Sequence, residues 1–537
     1  MMNNPTCRIT AVLMAIIMMG MALTACSGGA RGGDAKVDTT PIPSSAPDAT
    51  YKPIQGGALK LAIPVNAPCS DPLDVTTEEM LNLFSLVYDT LLTVGPSGEI
   101  EPCLCESWIN EIPGTWILHL RDGVKWHDGA TFSSYDVINT YNALVEMSDS
   151  YYKPCLKHIV SMDVIDSLTI RLKLDTPGIL GLYSLVFPIK KAQQLMGTGA
   201  YRLESMTDES IVLRVNENWW DKQPFISSVI FVERDSNTTA LASFEAGQLN
   251  MVPTDILTAG KYLDAGITNV YDIMTQDMET LLFNAQSRVF SNAQLRLAVA
   301  HGINRNRIIT NVYMNRARAA DVPIPPDNWL YDSRSAVLNY DPEASAQLIA
   351  DAGYTITSDE DGLLYSKNGG SLRIKLLTSA TTENTIRSDA AAIIASQLNS
   401  LGFNVEVVTA SHTLGDSESE FITALKGGDW DIALVGFNLA MSNELSSYIA
   451  PDGENNFGHV SDALLVSKAN KIAEAENEEM AREAAYEFQT YFVETLPFFP
   501  LYFRLNSIIC SANIIGPNSA REPLLFYDEK NWFITGD

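Results

Sequence analysis

The chain predicts an α/β protein built from more than one domain. Three observations carry this. Between residues 371 and 436 the hydrophobic pattern alternates strand, helix, strand, helix, strand, which is the order that builds an α/β layer. The last of these strands, within 431–436, is a continuous apolar run, as expected of a strand covered on both faces of a parallel sheet. With 537 residues the chain is also too long for a single core, so two or three domains are expected.

The first element is an export signal. A polar start carries one cation, Arg8, and an apolar or small run follows from Ile9 to Leu23. That run falls short of the roughly 20 residues a helix needs to span a bilayer, so it reads as a secretory signal. It ends in Leu23-Thr24-Ala25-Cys26-Ser27-Gly28-Gly29. Leu-Thr-Ala-Cys resembles the lipobox of bacterial lipoproteins, which implies that Cys26 is lipidated and becomes the mature N-terminus. Two acyl chains are about what stable anchoring takes. Residues 26–53 are rich in Gly, Ser, Ala, Pro, Asp and Thr and read as a flexible tether.

Composition narrows the function classes. The chain is 46% hydrophobic and 9% aromatic, enough for globular cores. Its net charge is −29 with no offsetting basic block, which speaks against nucleic-acid binding. The cysteines are Cys7, Cys26, Cys69, Cys103, Cys105, Cys155 and Cys510. Once Cys7 leaves with the signal and Cys26 is lipidated, an odd number remains, so a full disulfide framework is excluded, while one or two bridges stay open. Cys103-x-Cys105 lacks the spacing of a zinc knuckle or redox pair and reads as packing.

Globular sequence starts with a strand, since Leu59, Leu61 and Ile63 alternate before Pro64. A helix runs through Met80, Phe84, Val87 and Tyr88, and a turn sits at 95–98. Trp116, Leu118 and Leu120 alternate as a strand, Arg121-Asp122-Gly123 turns, and Trp126 is expected to return as a second strand. Ser133 with Asp136 makes a capping box for a helix carrying Val137, Tyr141, Leu144 and Val145. Ser291 is expected to cap a helix with Gln294 at its third position. Asp341 caps the next, with Pro342 at its first position and Gly353 past its end. A helix follows over 385–401, with Ile386, Ala390, Ile393, Ile394 and Leu398 inward and Gly402 closing it. Phe403, Val405 and Val407 alternate as a strand, a helix lies near 420–426, and 461–495 reads as one long helical stretch.

Several stretches resemble one family. They are Glu101-Pro102-Cys103-Leu104-Cys105-Glu106-Ser107-Trp108, then Trp116 to Gly129, Thr198-Gly199-Ala200-Tyr201, Asn216 to Trp220, Ala246 to Asn250, Leu295 to Ala298, Ile303-Asn304-Arg305, and Tyr340 to Tyr354. Their order and spacing resemble the extracellular solute-binding proteins of family 5, the peptide- and nickel-type receptors of ABC importers. The resemblance implies a two-lobed periplasmic-binding-protein type II fold (cluster C), with an extra subdomain on lobe I. By analogy, 54–72, 191–281 and 499–537 form lobe I, 73–190 the extra subdomain and 282–498 lobe II. The chain would cross between lobes near 281–284 and return near 497–501. His119 and His127 fall in scaffold.

The resemblance also implies a site. Peptide-binding members hold the ligand's ammonium with an aspartate in Gly-Trp-x-x-Asp after the buried strand. Here Gly436-Phe437-Asn438-Leu439-Ala440 places Ala440 where the aspartate belongs. The expected ligand contacts are Phe437, Asn438, Asn443 and Glu444 on lobe II, Val65 and Asn66 on lobe I, and Tyr151 or Tyr152. Glu444, one turn beyond Ala440, is placed to reach back. Trp329 and Tyr331 are expected in the core or at the rim.

The function expected is capture of oligopeptides, or a related polar solute, by hinge closure and delivery to an ABC permease, by a monomer tied to the outer face of the cytoplasmic membrane through Cys26. Two alternatives share the fold: a sensor of a signalling peptide, and a binder of a non-peptide solute. No cofactor, metal site or catalytic residue is expected. There is no Gly-x-Ser-x-Gly, His-Glu-x-x-His or phosphate-loop motif, and the six histidines are scattered.

Overall fold

Among the described residues, three of the six sheets carry the architecture. The computed structural model describes residues 52–65, 71–191, 196–265, 267–335, 338–359, 362–368, 370–381, 385–413 and 416–536. The signal, Cys26, most of the tether, Asn66 and Cys69 lie outside them.

The opening strand, Ala58–Pro64, runs parallel to Ser228–Arg234, and Ser210–Val215 and Tyr201–Met206 extend that sheet antiparallel. Leu59, Leu61 and Ile63 point into the core, as their alternation requires. A second sheet joins Cys105–Ile112, Thr115–Leu120, Thr169–Leu174 and Ile159–Asp166 in antiparallel order. Trp126 does not form the returning strand. Lys125 makes only an isolated bridge to Thr131, and Trp126 is buried with its ring edge-on to Phe132. The true partners of Thr115–Leu120 flank it on both sides, so a third strand had no free edge to take.

The largest sheet has seven strands. Two are long, Thr268–Phe283 and Phe498–Ser511, and they pair antiparallel through most of their length. Met251–Thr254 and Ala317–Ala319 add to Phe498–Ser511, and Ile432–Asn438 adds to Thr268–Phe283. Arg373–Ala380 and Asn404–Ser411 complete it. The expected parallel sheet holds for three strands, since Arg373–Ala380 is parallel to both Asn404–Ser411 and Ile432–Asn438. Beyond them the sheet turns antiparallel at Thr268–Phe283, so it is mixed.

The helices follow their local signals with two corrections. Asp341 caps Pro342–Asp351, and Gly353 takes φ +85° just past it. The Ser133–Asp136 capping box is present on Ser134–Glu146. At 293, however, Asn292 rather than Ser291 is the cap, because its Oδ1 reaches the Gln294 amide at 2.9 Å. The 461–495 stretch is two helices, Ala463–Ala473 and Glu478–Thr495. Asn477 starts the second one as its own cap, interrupting the stretch.

Two large apolar cores result. One gathers most buried apolar residues from Leu59 to Phe231 with Met251, Tyr271, Ile273 and Ile508 to Trp532, the other runs chiefly from Met274 to Leu505, and a small third cluster surrounds Phe244 and Tyr262. The change of core falls at matching points of the long strands, since Ile273 pairs with Asn506 and Met274 with Leu505. Both long strands therefore pass from one core into the other side by side. Leu281 to Phe283 and Phe498 to Leu501 lie wholly in the second core. The short helix Ile179–Leu185 bridges, with Leu182 and Leu185 in the first core and Leu180 and Tyr183 in the second.

Candidate ligand-binding site

Where the two cores face each other lies a cavity of about 550 Å³. Its second-core wall is the end of Ile432–Asn438 and the loop after it, Asn438 to Met441, together with Gln276 of the first long strand. Its first-core wall comes from the helix Glu78–Val87, from Tyr151 and Tyr152, from Trp219 and Trp220, and from 522–530. A smaller cavity of about 330 Å³ adjoins it, and Glu78, Asn438 and Glu522 line both.

The aromatic wall is held by buried hydrogen bonds. Trp220 Nε1 and Thr198 Oγ1 both donate to Asp89 Oδ2 at 2.8 Å. Burial raises the Asp89 carboxyl above its ordinary value, and these donors work against that rise. Arg121 lies over the Trp220 ring, 4.4 Å from its centroid. The turn at Thr198 packs against the end of the Glu78–Val87 helix so closely that a Cβ on Gly197 would come within 1.8 Å of the Val87 carbonyl. Asn216 Nδ2 donates to Gly199 O at 3.1 Å. Two of the sequence motifs, 198–201 and 216–220, thus brace one wall.

The acidic groups behave differently from one another. Burial pushes Glu529 up to about 8. Burial first, and then the charges of Glu78 and Asp277, push Glu522 up to about 8. Tyr527 Oη donates to Glu101 Oε2 at 2.8 Å, and Lys530 pairs with Asp221 at 2.6 Å. Among the described residues no group of three or more metal-ligating side chains gathers, and no helix is long and apolar enough to cross a membrane.

Residues 99–458 match the model of the bacterial extracellular solute-binding proteins, family 5 middle region. The chain belongs to this family. Its members are transport binding proteins and not enzymes, so this is a solute-binding protein that works outside the cytoplasm with an ABC importer. It is 25% identical over 438 residues to the oligopeptide-binding protein AppA of Bacillus subtilis, covering 74% of this chain and 76% of that one. It is 24% identical over 395 residues to the nickel-binding periplasmic protein of Escherichia coli, covering 68% and 72%. The crystal structure of a nickel ABC transporter from Bacillus halodurans aligns with TM-score 0.76 at 19% identity, covering 88% of this chain and 98% of that one. The unliganded open form of the murein tripeptide binding protein MppA aligns with TM-score 0.76 at 16% identity, covering 91% and 98%. These likenesses show the two-lobed α/β fold of type II periplasmic binding proteins.

In this family 5 protein the expected contact residues scatter. Asn438, Tyr151 and Tyr152 line the cavity, and the two tyrosine rings meet edge-on at 5.1 Å. Asn438 Nδ2 donates to Asp277 Oδ1 at 2.9 Å. Phe437 points the other way, 8% exposed and packed on Tyr448 in the second core. Alternation along the strand explains this, since neighbours face opposite sides. Val65 is 43% exposed and lines neither cavity. Asn443 is buried at φ +53°, also away from both.

Glu444 does not reach back toward Ala440. It pairs with Lys157 Nζ at 2.8 Å and His158 Nε2 at 3.5 Å, and accepts from Ser446 Oγ at 2.8 Å. His158 in turn meets Asp175 at 2.8 Å. The His158 hydrogen bond, foremost, holds the Glu444 carboxyl well below the usual range, and the same contact raises His158. Glu444 is thus a tie between the loop after 438 and the segment 153–175. Trp329 is partly buried against the second core, its Nε1 3.1 Å from Tyr183 Oη, and Tyr331 is likewise partly buried there.

Sequence reasoning missed Glu78, Gln276, Trp219, Trp220 and the 522–530 wall. The Trp pair sat inside a quoted motif, which was the available signal. Nothing local marks the others. The described cysteines Cys103, Cys105, Cys155 and Cys510 are all free, and Cys103 and Cys155 line the cavity.

Proposed function

We propose that this protein captures short peptides in the cavity between its two cores and delivers them to the permease of an ABC importer, held at the outer face of the membrane by a lipid on Cys26. The observation that supports it is the cavity itself. Its volume of about 550 Å³ lies in the range of ligand pockets, and its walls belong to two separate cores, so a hinge motion opens it. The similarity to an oligopeptide-binding protein over three quarters of the chain points the same way.

The change of core supports a first lobe of 54–273 and 506–536 and a second of 274–505, with a hinge near the paired positions Ile273–Asn506 and Met274–Leu505; the expected crossings at 281–284 and 497–501 lie a few residues away on the same two strands. A non-peptide solute is the second reading, because Ala440 lines the cavity where peptide binders carry an acid.

Native mass spectrometry of the mature protein, mixed with a pool of random tetrapeptides, tests the proposal. Retained peptide masses and a smaller radius of gyration in solution scattering are expected. A protein that retains none and keeps one scattering profile overturns the peptide reading. Radiolabelled palmitate should label the wild type and not Cys26→Ser.

A further inference from the structure

Among the described residues, seven carboxylates line the larger cavity against one cation, Lys530, and that lysine is bound to Asp221. The whole chain has 65 acidic and 36 basic residues, so the cavity is far more one-sided than the chain that builds it. The smaller cavity is more balanced, since Arg504 and Arg521 line it beside five carboxylates, but acids dominate where the two meet. Glu78 and Glu522 line both, and Asp277 lines the smaller. Glu522 accepts a hydrogen bond from Asn506 Nδ2 and faces Glu78, Asp277 and Arg504. That arginine lies 3.6 Å from Asp277, so its charge is shared. Glu78 is raised by burial and then by Glu79, Asp277 and Asp255. Carboxyl groups crowded in this way resist ionisation until a positive charge arrives.

A second observation is independent of charge. Gln276 is 5% exposed and lines the same cavity, and its Oε1 has no hydrogen-bond partner. It sits at the register irregularity between Met274 and Met278 of the first long strand. A buried acceptor left open in a cavity calls for a donor from the ligand. Around these acceptors stand the rings of Tyr151, Trp219, Trp220 and Phe526. Their faces attract cations and accommodate an apolar body.

We infer that the cleft selects a positively charged solute, a peptide with a free ammonium end, and seats that end among Glu78, Glu522 and Asp277 with Gln276 Oε1 as a further acceptor. The ammonium is held on the first-core wall and at the strand floor, rather than by the loop at Ala440. The word peptide rests on the reading above, whereas the charge rests on the cavity alone. Binding ionises Glu522, so a proton leaves as the cation enters, and affinity falls as pH drops below about 8.

The test titrates the purified mature chain with three probes: random tetrapeptides with free N-termini, the same pool acetylated, and the diamine putrescine. The free pool should bind about ten- to a hundredfold more tightly than the acetylated pool. At pH 7 its binding should release protons, read from the heat in buffers of different ionisation enthalpy. Glu522→Gln should remove most of the preference and the proton release, and Glu78→Gln repeats the measurement should the first variant not fold. Glu444→Gln, outside the cavity, should keep both. Equal binding of free and acetylated pools overturns the charge inference and leaves the peptide reading standing. Putrescine binding that Glu522→Gln weakens, with neither pool bound, keeps the charge inference and removes the peptide reading. Failure of both amine probes to bind overturns the charge inference.

Discussion

Glu279 and Glu522 are both glutamates shielded by the same strand system, and they are treated in opposite ways. Glu279, on the first long strand, is 4% exposed and meets Arg387 as a fork, with Nε and Nη2 at 2.9 and 2.8 Å from its two oxygens. Ser379 Oγ takes a third donor of the guanidinium at 2.9 Å. The neighbouring strand makes room, since a Cβ on Gly436 would come within 2.4 Å of Arg387 Nη2. Glu522 has no such fork and faces Glu78 and Asp277. The difference separates structural charge from charge reserved for a ligand. A carboxylate matched within the protein holds strands together, while one kept among its own kind waits for a partner from outside.

Removing the matched partner should do the most damage. Arg387→Ala leaves Glu279 buried and alone, and should cost about 3–5 kcal/mol in urea unfolding. A loss below about 1 kcal/mol would mean that the fork does not hold the sheet. Glu522→Gln should act with the opposite sign. The folded protein raises this acid from 4.5 to about 8. Between those values the folded state holds a proton that the unfolded chain has lost, so stability falls as pH rises through that window. The glutamine variant lacks this penalty. It should be more stable than wild type at pH 8.5, by on the order of 1–3 kcal/mol, and closer to it at pH 5. A variant that melts lower than wild type at pH 8.5 breaks the comparison.

The smallest effect belongs to Glu444, a half-exposed tie between these extremes. His158 is raised, so its share is full below about 6.5 and fades as pH climbs through its folded value. Glu444 is lowered, so its share is full above about 4.5 and fades in acid. The tie is therefore strongest between those two pH values. Glu444→Gln should cost less than about 1 kcal/mol there, less still at pH 8.5 and in high salt. Melting curves at pH 5.5 and 8.5 check this.

Much of the fold was legible because its signals are local. Asp341, Pro342 and Gly353 bracket a helix through contacts within one turn, and 431–436 reads as a buried strand from its own apolar run. The returning strand expected at Trp126 does not form because a strand needs a free neighbouring edge, and the sequence does not show that both edges of Thr115–Leu120 are taken. The single helical stretch at 461–495 broke at Asn477, whose capping role depends on which way the chain turns. In the site, alternation was available to separate Phe437 from Asn438, yet both were expected at the ligand. The Glu444 tie is invisible to the sequence because Lys157 and His158 lie far away along the chain.

The sequence by itself determined the alternation of strand and helix, the family and the absence of a peptide-binder's aspartate at Ala440, since each of these is carried by neighbouring residues or ordered motifs. Only the tertiary structure decided that residues 78, 277 and 522 share one pocket and that 444 is tied to 157 and 158. Periodicity reports on neighbours a few positions apart, whereas charge acts through space and depends on where distant segments come to rest.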